Sequence, residues 1–180
     1  MTLVTKRNVT GPFVLRLLIF IVLFCFPVFN LPVAAQVESQ SFDLLLKKML
    51  AHSVEEISVQ HAINSNAIFF DAREKKEFEV SHIKNARWVG FETFSMNELS
   101  GFDKGSEIIV YCSVGYRSEK ISVKLLDAGF QNVSNLYGGI FEWVNQGNPV
   151  YRNDTLEVKD IHAYNRLWGA WLKKGNKVFE

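Results

Sequence analysis

The apolar residues of this chain fall alternately into short strand-like runs and helix-spaced stripes. Phe42, Leu45, Leu46, Met49 and Leu50 recur at helical spacing with Lys47 and Lys48 turned elsewhere, which predicts a helix laid against a domain; a cofactor or partner groove is the alternative use of such a stripe. Glu56 to Gln60 is a short strand candidate, and Ala67 to Asp71 a stronger one that ends in a carboxylate. Arg87-Trp88-Val89 gives a third strand, and Phe91 to Leu99 a helix ending near Gly101. Glu107 to Tyr111 is apolar, β-branched and aromatic, the composition of a strand covered on both faces of a parallel sheet. A helix follows from about Arg117, with Ile121, Leu125 and Leu126 as its stripe and Gly129 as its stop. Asn132 to Leu136 is a fifth strand, and Gly138-Gly139 turns the chain into Ile140 to Asn145. Strands alternating with helices in this way predict an α/β fold, a parallel sheet flanked by helices.

Beyond residue 150 the pattern changes. Ile161, Tyr164, Trp168, Trp171 and Leu172 fall on one helical stripe, with Lys173 and Lys174 in the last turn and Gly175 as a stop. A C-terminal helical extension over 151–180 is predicted, packed back on the domain. A docking surface for a protein partner or a membrane over 161–172 is the alternative.

The start of the chain carries a different signal. Lys6 and Arg7 precede thirteen apolar residues from Leu17 to Phe29, and Val33-Ala34-Ala35 supplies small residues at signal-peptidase spacing. Cleavage would leave Gln36 first; an uncleaved anchor over 17–35 is the alternative. Either way an exported domain is expected, periplasmic or otherwise extracytoplasmic, because Lys6, Arg7 and Arg16 hold the N-terminus on the cytoplasmic side. The resulting division is leader 1–35, N-terminal helix 36–54, central domain 55–150 and extension 151–180. Net charge is +1 for the 180 residues and −2 without the leader (17 basic against 19 acidic residues). No block of like charge suggests nucleic acid as a partner.

Outside the leader Cys112 is the one cysteine, so no disulfide is expected within the domain. It stands where the strand ending at Tyr111 gives way to the helix. Ser113, Val114, Gly115 and Tyr116 must therefore form a tight loop, whose N–H groups can turn inward as an anion-binding nest because Gly115 admits backbone angles that a Cβ resists. The first turn of the helix and the Arg117 guanidinium add positive potential, which favours thiolate over thiol and makes Cys112 a candidate nucleophile. No pair of the histidines has metal-ligand spacing with cysteine, and no metal is expected.

Three blocks in order then carry a family resemblance. Phe69-Phe70-Asp71-Ala72-Arg73-Glu74 with Glu77-Phe78 and Ser81-His82-Ile83 is the first; Tyr111 to Ser118 is the second; Gly129 to Val133, leading to Leu136-Tyr137-Gly138-Gly139-Ile140 and Trp143, is the third. Together they resemble the rhodanese-like sulfurtransferases over about residues 55 to 150. The resemblance implies a three-layer α/β/α sandwich with a five-stranded, mainly parallel sheet. It implies that Cys112 is the catalytic residue and that Ser113, Val114, Gly115, Tyr116 and Arg117 form the loop that binds substrate and persulfide. By the same resemblance Asp71 and Arg73 support that loop, and His82 belongs to the turn into the next strand; a surface pair of Arg73 with Glu77 is the plainer alternative for Arg73.

The implied activity is thiosulfate sulfurtransferase chemistry. A sulfane sulfur passes from a small donor such as thiosulfate to cyanide or a thiol through a Cys112 persulfide, with no metal or organic cofactor. Two other uses of the same fold are a non-catalytic protein-binding module and a phosphatase or arsenate reductase. The presence of both Cys112 and Arg117 speaks against the first. The four residues between them speak against the second, because phosphate-handling relatives have a loop one residue longer.

Overall fold

The computed structural model describes residues 37–179. The expected leader over 1–35, and its alternative reading as an anchor over 17–35, lie outside the described residues. From Gln40 onward the order is α1 (Gln40–Met49), β1 (Glu55–Ile57), α2 (Val59–Ile63), β2 (Ile68–Asp71), α3 (Lys75–Val80) and β3 (Arg87–Trp88). A single 3-10 turn (Met96–Leu99) leads to β4 (Glu107–Tyr111), α4 (Tyr116–Asp127), β5 (Asn132–Leu136) and α5 (Gly139–Asn145). The C-terminal part holds β6 (Val150–Arg152), β7 (Leu156–Val158), β8 (Asp160–His162), α6 (Arg166–Gly169) and β9 (Asn176–Val178).

β1 to β5 form one sheet in the order β1-β5-β4-β2-β3, and every pairing in it is parallel. The period of two along β4 explains the layering. Ile109 and Tyr111 face a cluster with Phe42, Leu46, Leu136 and Ile140, whereas Ile108, Val110 and Cys112 face one with Phe70, Ile121, Leu125 and Val133. Helices cover both faces, and the α/β/α sandwich expected from the resemblance is the fold. Each fully buried Leu, Ile or Phe in these layers contributes about 1.5–3 kcal/mol.

α1 forms where its stripe predicts. Ser39 caps it by accepting the Phe42 N–H, Phe42 and Leu46 are buried, and Lys47 and Lys48 lie in the last turn where they oppose the helix dipole. Glu119 on α4 then ties the chain leaving α1 to the cysteine helix. Its carboxylate accepts the N–H groups of Ala51 (3.0 Å) and Ser53 (2.9 Å).

Three predicted elements differ. β1 stops at Ile57, because Ser58 caps α2 and takes Val59 and Gln60 into a helix. Phe91 to Leu99 forms only the Met96–Leu99 turn, since Phe91, Phe94 and Met96 pack separately against the Phe70–Val110 cluster. The stripe from Ile161 to Leu172 is not one helix. Ile161 and His162 pair with Lys177 and Val178 in a parallel two-stranded sheet, Tyr164 turns the chain at φ 62°, and Asn165 caps the short α6. Ile161 and Leu172 are buried all the same, and Trp171 stacks on Phe42 with ring centroids 5.2 Å apart.

Candidate active site

Cys112 follows the last residue of the central strand and is 1% exposed. α4 starts directly behind it with Gly115 as N-cap at φ 115°, and no side chain caps the helix. The sulfur lies at that end of the helix: Sγ accepts the N–H of Gly115, the N-cap residue itself, at 3.2 Å. The N–H groups of Tyr116, Arg117 and Ser118 precede the first backward bond of the helix, from the Glu119 N–H to the Gly115 carbonyl, so the first turn faces the sulfur with unpaired donors.

Buried side chains hold this loop. Asn135 on β5 donates to the Gly115 carbonyl (3.1 Å), and the Ser118 hydroxyl donates to Asn135 Oδ1 (2.7 Å). Burial pushes the Cys112 thiol up, but the Arg117 charge, the Ser118 hydroxyl and N–H, and the Gly115 N–H together outweigh it and hold the thiol below its ordinary value. Alkylation of Cys112 by iodoacetamide is therefore expected to reach half its maximal rate at a lower pH than free cysteine. Ser118→Ala should move that midpoint upward; an unmoved midpoint would leave the charge and the backbone donors as its whole cause.

Arg117 is positioned by Glu77 of α3. Its Nη1 and Nη2 donate to the two Glu77 carboxylate oxygens at 2.6 and 2.9 Å, and Nη2 also donates to the Ser113 hydroxyl (3.0 Å). Ser113 Oγ in turn donates to Glu77 at 3.1 Å. Glu77 is fully buried; burial raises its carboxyl, and Arg117 more than offsets this and holds it below the usual carboxylate range. The surface pair of Arg73 with Glu77 is thus corrected. Arg73 is itself fully buried and forks onto Asp71, with Nε to Oδ1 at 3.0 Å and Nη2 to Oδ2 at 2.6 Å, and it also donates to the Ser81 carbonyl. This pair fixes the turn between β2 and α3, and through it the helix that carries Glu77.

Gly139 presses on the loop from behind. The Ile140 and Phe141 N–H groups donate to the carbonyls of Cys112 (2.9 Å) and Ser113 (3.1 Å). A Cβ on Gly139 would lie against the Cys112 carbonyl oxygen and 2.7 Å from the Ser113 carbonyl carbon and oxygen.

In front of the loop lies a cavity of about 660 Å³ lined by Cys112, Ser113, Val114, Tyr116 and Arg117 together with Met49, Phe91, Tyr164 and Trp168. All five loop residues from the sequence reach the site, Gly115 by its backbone. Asp71, Arg73 and His82 do not line the cavity. His82 stacks on Phe78, lies within hydrogen-bond distance of the Phe78 carbonyl (3.0 Å) and Asp154 (3.2 Å), and serves the turn. His162, which no motif marked, is buried with Nδ1 4.0 Å from Glu77 and accepts the Tyr164 N–H. Among the described residues no group of three or more His, Cys, Asp or Glu side chains could hold a metal ion.

The sequence profile of the Rhodanese-like domain matches residues 55–146. The chain belongs to the rhodanese-like domain family. Curated relatives of this rhodanese-like protein include a tRNA uridine(34) hydroxylase of Hamiltonella defensa, 38% identical over 99 residues, covering 52% of this chain and 27% of that protein. The tRNA uridine(34) hydroxylase of Yersinia enterocolitica is 33% identical over 128 residues, 66% of this chain and 36% of its own. The chain thus spans about a quarter to a third of the length of these relatives. The crystal structure of a thiosulfate sulfurtransferase from Pseudomonas aeruginosa superposes with a TM-score of 0.51 at 21% identity, over 64% of this chain and 23% of that one, and shares the fold.

These relatives correct the expectation of export to the periplasm or another extracytoplasmic space. They are named tRNA uridine(34) hydroxylases, and the transfer RNA in that name is the finding against that expectation. The span matched by the profile marks which parts of the site belong to the rhodanese-like domain. Cys112, Glu77, Arg117, Asn135 and Gly139 fall inside the matched span, whereas Met49, Tyr164 and Trp168 fall outside it.

Proposed function

We propose that this protein transfers sulfane sulfur through a persulfide on Cys112, with thiosulfate or a similar small compound as donor. The Cys112 thiolate attacks the outer sulfur of thiosulfate, the sulfur–sulfur bond of the donor breaks, and sulfite leaves with the bonding pair. The persulfide then carries its negative charge on the terminal sulfur, inside the ring of N–H groups from Ser113 to Arg117. Cyanide or a thiolate attacks that sulfur and returns Cys112 as thiolate.

The observation that carries this reading is the sulfur at the N-terminus of α4: Gly115, the N-cap residue, donates to Sγ at 3.2 Å, and no side chain caps the helix. Arg117 serves by its charge beside the sulfur, while three of its N–H donors are held by Glu77 and Ser113. The loop of four residues between Cys112 and Arg117 favours a sulfur atom over a tetrahedral phosphoryl group. A low thiol pKa and an open cavity at the cysteine favour an enzyme over a non-catalytic binding module.

Purified protein is expected to convert thiosulfate and cyanide to thiocyanate, and Cys112→Ser to lose all turnover while keeping the fold, because a serine hydroxyl is barely ionised at neutral pH. Equal turnover by Cys112→Ser, or Cys112-dependent hydrolysis of an aryl phosphate by the unmodified protein, contradicts the reading.

The names of the relatives favour a second reading, in which the domain acts with Cys112 as part of a tRNA uridine-modifying enzyme. A mobility-shift titration of the full chain with bulk tRNA separates the two. A shift competed by free uridine supports the tRNA reading, and no shift at saturating protein removes it.

A further inference from the structure

The cavity is far larger than the chemistry at its base requires. Thiosulfate and cyanide are a few atoms each, whereas about 660 Å³ is the volume of a site for a drug-sized or nucleoside-sized molecule. Beyond the cysteine loop its walls combine Met49, Phe91, Tyr164 and Trp168, mostly aromatic, with the carboxylates Glu74 and Glu92.

Three of the first four come from outside the span matched by the family. Met49 is the last residue of α1, Tyr164 precedes α6, and Trp168 lies in it. The two flanking segments are fastened to each other as well as to the domain, since Phe42 of α1 stacks on Trp171 just after α6. Tyr164 is held at φ 62°, its N–H is taken by His162, and its ring lies 5.4 Å from the Arg117 guanidinium carbon. A tyrosine kept in the left-handed region by its surroundings, half exposed and directly over the active-site arginine, is a positioned side chain rather than a loose one.

The charges decide what class of molecule fits. Among the described residues the only cation lining the cavity is Arg117, and both of its terminal nitrogens are held by Glu77. Glu74 and Glu92 also line it, and Glu74 lies 3.9 Å from Arg117. An anionic molecule of nucleoside size would therefore meet two carboxylates and a guanidinium whose charge is already paired with Glu77. An uncharged ring would bury its faces against Phe91, Tyr164 and Trp168, and rings in such contacts gain about 0.5–1.5 kcal/mol per pair beyond the area buried.

We infer that the flanking segments of this chain build an acceptor site for a flat, uncharged aromatic ring bearing a thiol, with Tyr164 and Trp168 as its specificity-determining residues. The acceptor role rests on the sulfur-transfer reading; the binding of the ring does not. In the transfer step the acceptor thiolate attacks the terminal sulfur of the Cys112 persulfide, the sulfur–sulfur bond to Cys112 breaks, and Cys112 leaves as thiolate. The product is the acceptor persulfide, which carries away the terminal sulfur with its negative charge, so charge and electrons balance and no outside oxidant or reductant is consumed.

Binding is tested on full-length Cys112→Ser protein, which cannot exchange sulfur, by titrating the tryptophan fluorescence with benzyl mercaptan and, separately, with mercaptosuccinate. Benzyl mercaptan should bind at least about tenfold more tightly than the dianion, the equivalent of one ring contact. Tyr164→Ala and Trp168→Leu, each combined with Cys112→Ser, should each weaken benzyl mercaptan by a similar factor and leave mercaptosuccinate unmoved. Tyr164 is half exposed, so its variant keeps the fold even where the tryptophan variant does not.

Transfer is tested on the Cys112 protein charged with thiosulfate, by comparing kcat/KM for the two thiols with that for cyanide. The ratio of benzyl mercaptan to cyanide should fall in Tyr164→Ala. Equal binding of the two thiols, or an unchanged ratio in Tyr164→Ala, overturns the assignment of the site. Tight binding of benzyl mercaptan without any persulfide on the unmodified protein would keep the ring site and remove the sulfur-transfer reading instead.

Discussion

Glu77→Ala is expected to destabilise the protein by about 3–5 kcal/mol, the cost of leaving a buried charge without its partner. The carboxylate accepts both Arg117 nitrogens, the Ser113 hydroxyl and the Glu74 N–H, and its removal strands all of them at once. For a chain of this size the melting temperature should drop on the order of 10 °C. Glu77→Gln keeps the volume and some hydrogen bonds, and should fall between the variant and the native protein. The acid limb of stability checks the same pair. Arg117 holds the Glu77 carboxyl below its unfolded value, so its contribution is complete above the ordinary carboxylate range and is lost as pH falls through the lower folded value. Glu77→Gln should flatten that part of the stability curve and leave the neutral region parallel to native.

Gly139→Ala should be nearly as damaging to stability and more damaging to activity. Its φ of 58° disfavours any Cβ, and the new methyl would press on the carbonyl groups of Cys112 and Ser113, which are backbone and cannot swing aside. The loop would have to move away from α5 and release the bonds from Ile140 and Phe141. Turnover should fall by about 10²–10³-fold, the effect of losing a donor that stabilises charge in the transition state. Gly115→Ala is the informative contrast. Its φ of 115° lies beyond the left-handed region near +60° that residues with a Cβ can reach, but the nearest atom to an added Cβ is 3.5 Å away, so backbone strain of about 1–3 kcal/mol and not collision is the main penalty. Thermal melts and thiocyanate turnover of the two variants side by side separate collision from strain.

Much of this site could be read along the chain because it is local. The strand Glu107–Tyr111, the cysteine, the glycine loop and the amphipathic helix are consecutive, and each follows from nearest-neighbour chemistry. The support of the loop is not local. Glu77 meets Arg117 across 40 residues, and Asn135 reaches the Gly115 carbonyl from the neighbouring strand. The only trace of the first was an acidic residue four positions after Arg73, which favours the helix pair that does not form. Asp71 captures Arg73 instead, because both lie at the closed end of β2, where a fully buried guanidinium needs a carboxylate within reach.

The C-terminal segment was misread for a related reason. Ile161, Trp168 and Leu172 fit a helical period by spacing alone, and periodicity over so few positions does not tell a helix from a strand followed by a turn. What decides is the pairing of Asp160–His162 with Asn176–Val178, which brings the two ends of the segment together and leaves α6 between them. Asn165 was the available signal, an N-cap residue in the middle of the supposed helix. The apolar character was read correctly in part: Ile161 and Leu172 are core, and Trp168 faces the cavity.

The sulfur atom at the N-terminus of α4 is expected to accept a second sulfur. Intact mass of the full chain, taken before and after incubation with thiosulfate and removal of excess donor, measures it directly. The expected spectrum gains the mass of one sulfur atom, confined to the peptide containing Cys112, reversed by cyanide and absent from Cys112→Ser. An unchanged mass in the native protein, or the same gain in Cys112→Ser, contradicts it.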